Sequence, residues 1–193
     1  MRGLKIVSFT FFLMILAACG GENIETTMSE NVADFEFTTQ DNESFGLEDL
    51  KGTYWVADFV FTNCTTVCLP MTSNMAYLQD LIQEEDLDVQ LVSFSVDPDY
   101  DTPEVLSEYA EEYDADLDSW TFLTGYDFDT IKELSIKSFK NMVQEPPEGT
   151  DQVTHGTSFF LVNPEGKVIK SYNGIQKDSM EDILEDLKNV VNS

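Results

Sequence analysis

Residues 35–39, Phe-Glu-Phe-Thr-Thr, alternate apolar and polar positions with the period of a half-buried strand, and residues 44–47 offer a short partner for it. Residues 54–61, Tyr-Trp-Val-Ala-Asp-Phe-Val-Phe, are rich in aromatic and β-branched side chains and predict a strong strand. From about residue 70 to residue 84 the spacing of Met71, Met75, Leu78 and Leu81 predicts a helix. Residues 89–96 form an almost unbroken apolar run, as a strand buried on both faces does. Thr102-Pro103 then opens a helix with an N-cap and a first-turn proline, ending near residue 113. Residues 120–123 read as a strand, and Asp127 caps a helix running to about residue 139. After a polar loop at residues 145–152, residues 158–162 and 168–172 predict a hairpin across Asn163-Pro164-Glu165-Gly166. An amphipathic helix over residues 179–191 closes the chain.

Strands alternating with helices, then a hairpin and a helix, predict an α/β sandwich: a central mixed sheet flanked by helices. That order is the thioredoxin-like one. At 193 residues the chain suits one such domain plus a leader, and there are no internal repeats.

The leader is expected at residues 1–18. Arg2 and Lys5 form a short positive region, and an apolar stretch of about 13 residues follows, too short for the roughly 20 that span a bilayer. It ends in Leu16-Ala17-Ala18-Cys19, which resembles the bacterial lipobox: cleavage before Cys19 would leave a terminal thiol for acylation. An ordinary signal peptide or an uncleaved anchor are the alternatives. The lipobox reading makes residues 19–33 a polar tether and residues 34–193 the folded domain, held on a membrane by the N-terminal lipid.

Charge narrows the partners. Ten basic against 37 acidic residues leave a net charge of −27, which excludes attachment to a nucleic-acid backbone. The acidity reads first as a solvated surface and second as attraction for cations or a basic partner.

The three cysteines carry the chemistry. With Cys19 assigned to lipid, Cys64 and Cys68 remain, four apart at a strand-to-helix junction. On helical geometry such a pair has Cα atoms about 6 Å apart, close enough for a disulfide or for two thiolates on one metal ion. A helix N-terminus favours the thiolate, which is both nucleophile and ligand. Three readings follow: a bracing disulfide, a redox pair acting as a thiol–disulfide oxidoreductase, and a metal site of two thiolates and one imidazole. Against the redox pair, thioredoxin-like oxidoreductases use two intervening residues where this chain has three. The histidine for the metal site is His155, the only one in the chain, delivered by the polar loop and followed by Gly156, which permits close backbone approach. Soft sulfur with one nitrogen suits copper, as Cu(I) or Cu(II), and zinc accepts the same donors. Met71 and Met75 read as core residues before thioether ligands, and Trp55 and Trp120 as packing.

Asp58-Phe-Val-Phe-Thr-Asn-Cys64-Thr-Thr-Val-Cys68-Leu-Pro-Met71, Ser93-Phe-Ser-Val-Asp97-Pro98, Phe122-Leu-Thr-Gly125 and Val153-Thr-His155, in this order, resemble the Sco-type copper chaperones over nearly the whole mature domain. Thr65 and Leu69 stand where many members have proline, a departure that affects loop stiffness and leaves the ligands intact. The resemblance implies one copper ion per chain held by Cys64, Cys68 and His155. It implies work on the dinuclear copper (CuA) centre of cytochrome c oxidase subunit II, by copper delivery, by reduction of the partner's cysteines, or both. Similarity to lipoprotein members of Gram-positive bacteria implies the outer face of the cytoplasmic membrane. The chain is expected to be a monomer and a carrier more than an enzyme. Asp97, at the end of a buried strand, either tunes the site from just outside the ligands or caps the turn before Pro98. A peroxidase of similar fold is a weaker alternative, lacking the proline-threonine pair expected before its cysteine.

Overall fold

The computed structural model describes residues 24–64 and 68–191, with residue 68 described by its backbone alone. The leader and Cys19 lie outside the described residues. In chain order the elements are β1 (Glu30–Asn31), β2 (Glu36–Thr39), β3 (Ser44–Gly46), β4 (Tyr54–Val60), α1 (Cys68–Glu84), β5 (Val89–Ser95), α2 (Pro103–Glu112), β6 (Trp120–Thr124), α3 (Phe128–Phe139), β7 (Val143–Gln144), β8 (Thr154–His155), β9 (Ser158–Val162), β10 (Lys167–Asn173) and α4 (Asp178–Val191).

Eight strands form one sheet in the order β1-β10-β9-β4-β5-β6-β2-β3. β4, β5 and β6 run parallel, while β9 lies antiparallel to β4 and β10 antiparallel to β9, so the sheet is mixed as expected. The parallel strands are buried on both faces because helices cover both, and the two serines of β5, Ser93 and Ser95, are buried along with its apolar residues. On one face α3 packs with an aromatic cluster of Trp55, Phe59, Phe94, Phe139 and Phe160. On the other, α1, α2 and α4 bury Met71, Met75, Leu106, Tyr109, Met180 and Leu187. Met71 and Met75 are therefore core residues, fully buried along α1.

The caps read from sequence are present: Thr102 Oγ1 accepts from the Val105 amide, and Asp127 accepts from Thr130 N–H at 2.8 Å. Helix α1 starts at Cys68, two residues before the expected position. Pro70 then falls in the first turn, where its missing N–H costs no helical bond.

The folded part also begins earlier than residue 34. The amides of Thr27 and Met28 donate to the Ile169 carbonyl, β1 pairs with β10, and Val32 is buried. This segment covers an otherwise open edge of the sheet, which explains why a polar stretch is held there.

Candidate metal centre

Strand β4 delivers the first cysteine. Its side chains alternate, Trp55, Ala57 and Phe59 joining the α3 face and Val56 the α1 face. The chain leaves the sheet at Phe61 and reaches Cys64, which is half-buried against the aromatic core. Cys64 lies in this loop and Cys68 is the first residue of α1, so the pair straddles the helix start. The expected i, i+4 geometry needs both residues on one helix, and of the two Cys68 alone lies in α1. The side chain of Cys68 and residues 65–67 lie outside the described residues. Among the described residues no three metal-binding side chains cluster, and Cys64 and His155 are the two candidate donors whose side chains are described.

His155 comes to this loop on a two-stranded ribbon, β7 against β8, in which Val143 is its partner. Its imidazole is 8 % exposed and meets the Phe61 ring edge-on, with centroids 5.7 Å apart. Nδ1 lies 2.9 Å from the Gly156 carbonyl oxygen. A carbonyl only accepts, so this bond puts the ring proton on Nδ1 and the lone pair on Nε2, the tautomer suited to binding a metal through Nε2.

Two hydrogen bonds stitch the loop before His155 to the residue before Cys64. Asn63 Nδ2 donates to Asp151 Oδ2 at 2.8 Å, and Gln152 Nε2 donates to the Asn63 carbonyl at 2.9 Å. The loop 145–152 is thus bound at the site rather than merely leading to His155. The ribbon is held from behind by Gly156, whose amide donates to the Met142 carbonyl. A Cβ at Gly156 would lie 1.9 Å from Asn141 Oδ1, and Asn141 is buried and bonded through Nδ2 to Ser135 Oγ. Gly156→Ala should therefore displace the ribbon, lowering stability by about 1–3 kcal/mol in thermal unfolding. An unchanged melting temperature would show that Asn141 yields freely.

A second anchor holds the cysteine loop to the β5–α2 connection. Asp101, fully buried, accepts from Thr62 N–H at 3.2 Å, from Thr62 Oγ1–H at 2.6 Å and from Ser95 Oγ–H at 2.5 Å. Burial pushes its carboxyl above the usual range, and the Ser95 and Thr62 bonds pull it back. Asp97 lies on the same connection, its amide donating to Ser95 Oγ and its carbonyl accepting from Tyr100 and Asp101. Its carboxyl is raised by burial first and then by the charges of Asp99 and Asp151. The charge of Asp151 from the His155 loop thus reaches Asp97, and both readings of Asp97 remain compatible with its place.

The sequence reading passed over Asn63, Asp101 and Asp58. The first two have no local signature, since their partners are far along the chain. Asp58 has one: an acid inside an apolar strand segment. It is fully buried, its Oδ1 accepts from Ser93 Oγ–H at 2.6 Å, and that hydroxyl accepts in turn from Trp120 Nε1–H at 2.9 Å. Burial pushes its pKa to about 7, against smaller lowering by the Ser93 bond and by His155.

The sequence model of the SCO1/SenC family matches residues 24–192. Three solved structures share the fold. A SCO1/SenC family lipoprotein from Bacillus anthracis is 50% identical, with a TM-score of 0.80 over 83% of this chain and 95% of its own. BsSco, described as a member of the Sco family of cytochrome c oxidase assembly proteins with a disulfide switch, is 46% identical, with a TM-score of 0.80 over 88% of this chain and 98% of its own. Yeast Sco1 with copper bound is 26% identical, with a TM-score of 0.66 over 85% and 92%.

Proposed function

The chain belongs to the SCO1/SenC family, and from that premise we propose that it binds one copper ion through Cys64, Cys68 and His155 in the assembly of cytochrome c oxidase. The cargo's destination in this reading is the CuA centre of subunit II, served by copper delivery, by reduction of the subunit's cysteines, or by both. The observation that carries it is the stitching of the His155 loop to Asn63, which puts the imidazole, with its lone pair on Nε2, at the loop that bears Cys64. Two soft thiolates and one imidazole favour copper over hard cations, and the pair must lose its thiol protons to bind.

Anchoring fits the same reading. Among the described residues no helix is long and apolar enough to cross a membrane. We place the attachment at Cys19, acylated after removal of residues 1–18, on the extracytoplasmic face.

Copper titration of the reduced full chain in detergent, followed by visible and electron paramagnetic resonance spectra, tests the site. One copper per chain is expected, with a thiolate-to-Cu(II) charge-transfer band. His155→Ala should abolish the band and weaken binding by more than the roughly 10–100-fold that losing an outer partner costs. Equal binding and an unaltered band in His155→Ala would sink the three-ligand site. Disulfide exchange by the cysteines without copper binding would instead favour a thiol–disulfide oxidoreductase acting on exported proteins.

A further inference from the structure

One face of the chain departs from the acidity of the rest. Of the ten basic residues, Lys132 and Lys140 border a shallow cleft where α3 meets β7, and among the described residues no carboxylate lines it. Lys132 and Ile136 stand one turn apart on α3, and Lys140 caps its end. Ile136 and Met142 line the same cleft and are 45% and 49% exposed, two of the five exposed large hydrophobic residues among those described. The ribbon explains the exposure of Met142. Val143 and His155 are partners and buried, so Met142 and Gln144 project from the opposite side. The neighbouring acids are engaged or outlying. Glu133 pairs with Lys137, Glu30 makes only a long pair of 3.9 Å with Lys140, and Asp129 and Glu145 stand outside the lining.

The cleft lies where the chain arrives from its anchor. Residues 26–30 and Lys140 line a neighbouring recess, and α3 packs beside β1. Ile24 is the first described residue and stands five positions after Cys19. Five residues reach at most about 18 Å, so a lipid on Cys19 holds this end of the domain within that distance of the bilayer. The body of the protein, with 37 acidic residues, is repelled by an anionic bilayer. Turning the lysine cleft toward the lipid is therefore the approach of lowest electrostatic cost, and it also covers two exposed apolar side chains.

We propose that the α3–β7 face docks on the membrane, Lys132 and Lys140 binding the phosphates of anionic phospholipids while Ile136 and Met142 enter the headgroup region. This rests on the anchor at Cys19 and goes beyond it by fixing which side of the domain lies down. A lipid chain alone leaves the domain free to turn about its tether. Two lysines held near an anionic surface together favour the docked state by about 30-fold. Contact through Met142 and Gln144 uses the back of the ribbon that carries His155. The imidazole side of the ribbon then faces away from the lipid phosphates, on the side left to a protein partner standing on the same membrane.

The test uses the full chain as the cell processes it, reconstituted into vesicles of phosphatidylcholine alone or with about one third phosphatidylglycerol. Lysines are acetylated with a limiting dose of acetic anhydride, and the rate at each is read by mass spectrometry. Lys132 and Lys140 should react at least about tenfold more slowly in the phosphatidylglycerol vesicles, and about 1 M salt should restore their rates. Lys177, over the Tyr77 ring on the other face of the sheet, is the control and should react alike in both. Equal rates at Lys132 and Lys140 in the two vesicles, or an equal fall at Lys177, overturn the proposal. Ile136→Ser combined with Met142→Ser should return the labelling of both lysines severalfold, and undiminished protection overturns the part given to the apolar pair. The same spectra report on Cys19. A lipid-bearing chain that floats with the vesicles yet shows no protection refutes the docking face alone. Without lipid, a chain that floats on a retained leader fails the Cys19 reading while the labelling still decides the face, and one that does not float overturns both.

Discussion

Asp101→Ala should lower stability by about 2–4 kcal/mol, because it removes the acceptor of three hydrogen bonds in the interior. The Thr62 amide and the Thr62 and Ser95 hydroxyls all donate to this carboxylate. Relief of a buried charge offsets part of the loss, since burial pushes the Asp101 carboxyl above its ordinary range. For a chain of this size the melting temperature should fall by about 5–15 °C in thermal unfolding. Asp101→Asn should recover little, since an amide offers one oxygen to three donors and turns its own NH₂ toward the rest. The site should respond as well, because Thr62 stands two residues before Cys64 and the bond is what ties that loop to β5. Copper binding weaker than in the unsubstituted chain, measured where both are folded, is expected in Asp101→Ala. An unchanged melting temperature would mean that water replaces the carboxylate without loss.

The second large effect is a dependence of stability on pH carried by Asp58. Its folded pKa is raised from 3.8 to about 7, chiefly by burial. Between these values the folded protein keeps a proton that the unfolded chain releases, so stability falls as pH rises from about 4 to 7 and levels off above that. Three pKa units correspond to about 4 kcal/mol. Asp58→Asn should remove this slope and leave the variant more stable than the unsubstituted chain at pH 8, by denaturant unfolding at several pH values. Asp97 and Asp101, also raised, contribute slopes of the same sign, whereas Asp127 and Asp151 are lowered by hydrogen bonds and contribute the opposite. The difference between the two proteins isolates Asp58. Parallel pH curves would show that its carboxyl titrates alike in both states. A residue that costs stability at neutral pH is the kind that a working site retains.

Local chemistry made most of the architecture legible. Periodicity located β4, β5, α1, α3 and the β9–β10 hairpin to within a residue or two, because alternation and helical spacing record which face of an element is buried. The Thr102 and Asp127 caps were readable for a similar reason, each acting three residues along the chain. The β7–β8 ribbon was not, since two-residue strands are too short to show a period. The edge pairing of Glu30 and Asn31 was missed because polar side chains hide a contact made through the backbone.

The same division runs through the site. By itself the sequence determined that two cysteines stand at a strand-to-helix junction, that one histidine exists to join them, and which family the arrangement resembles. Tertiary structure alone decided how His155 is brought to the cysteine loop, through Asn63 and the Asp151–Gln152 segment 88 and 89 residues away. It alone decided that Asp101 clamps Thr62 across 39 residues and that Asp58 lies bare on one oxygen under α1. Periodic patterns report neighbours up to about four positions distant, whereas these contacts depend on the order in which strands enter the sheet.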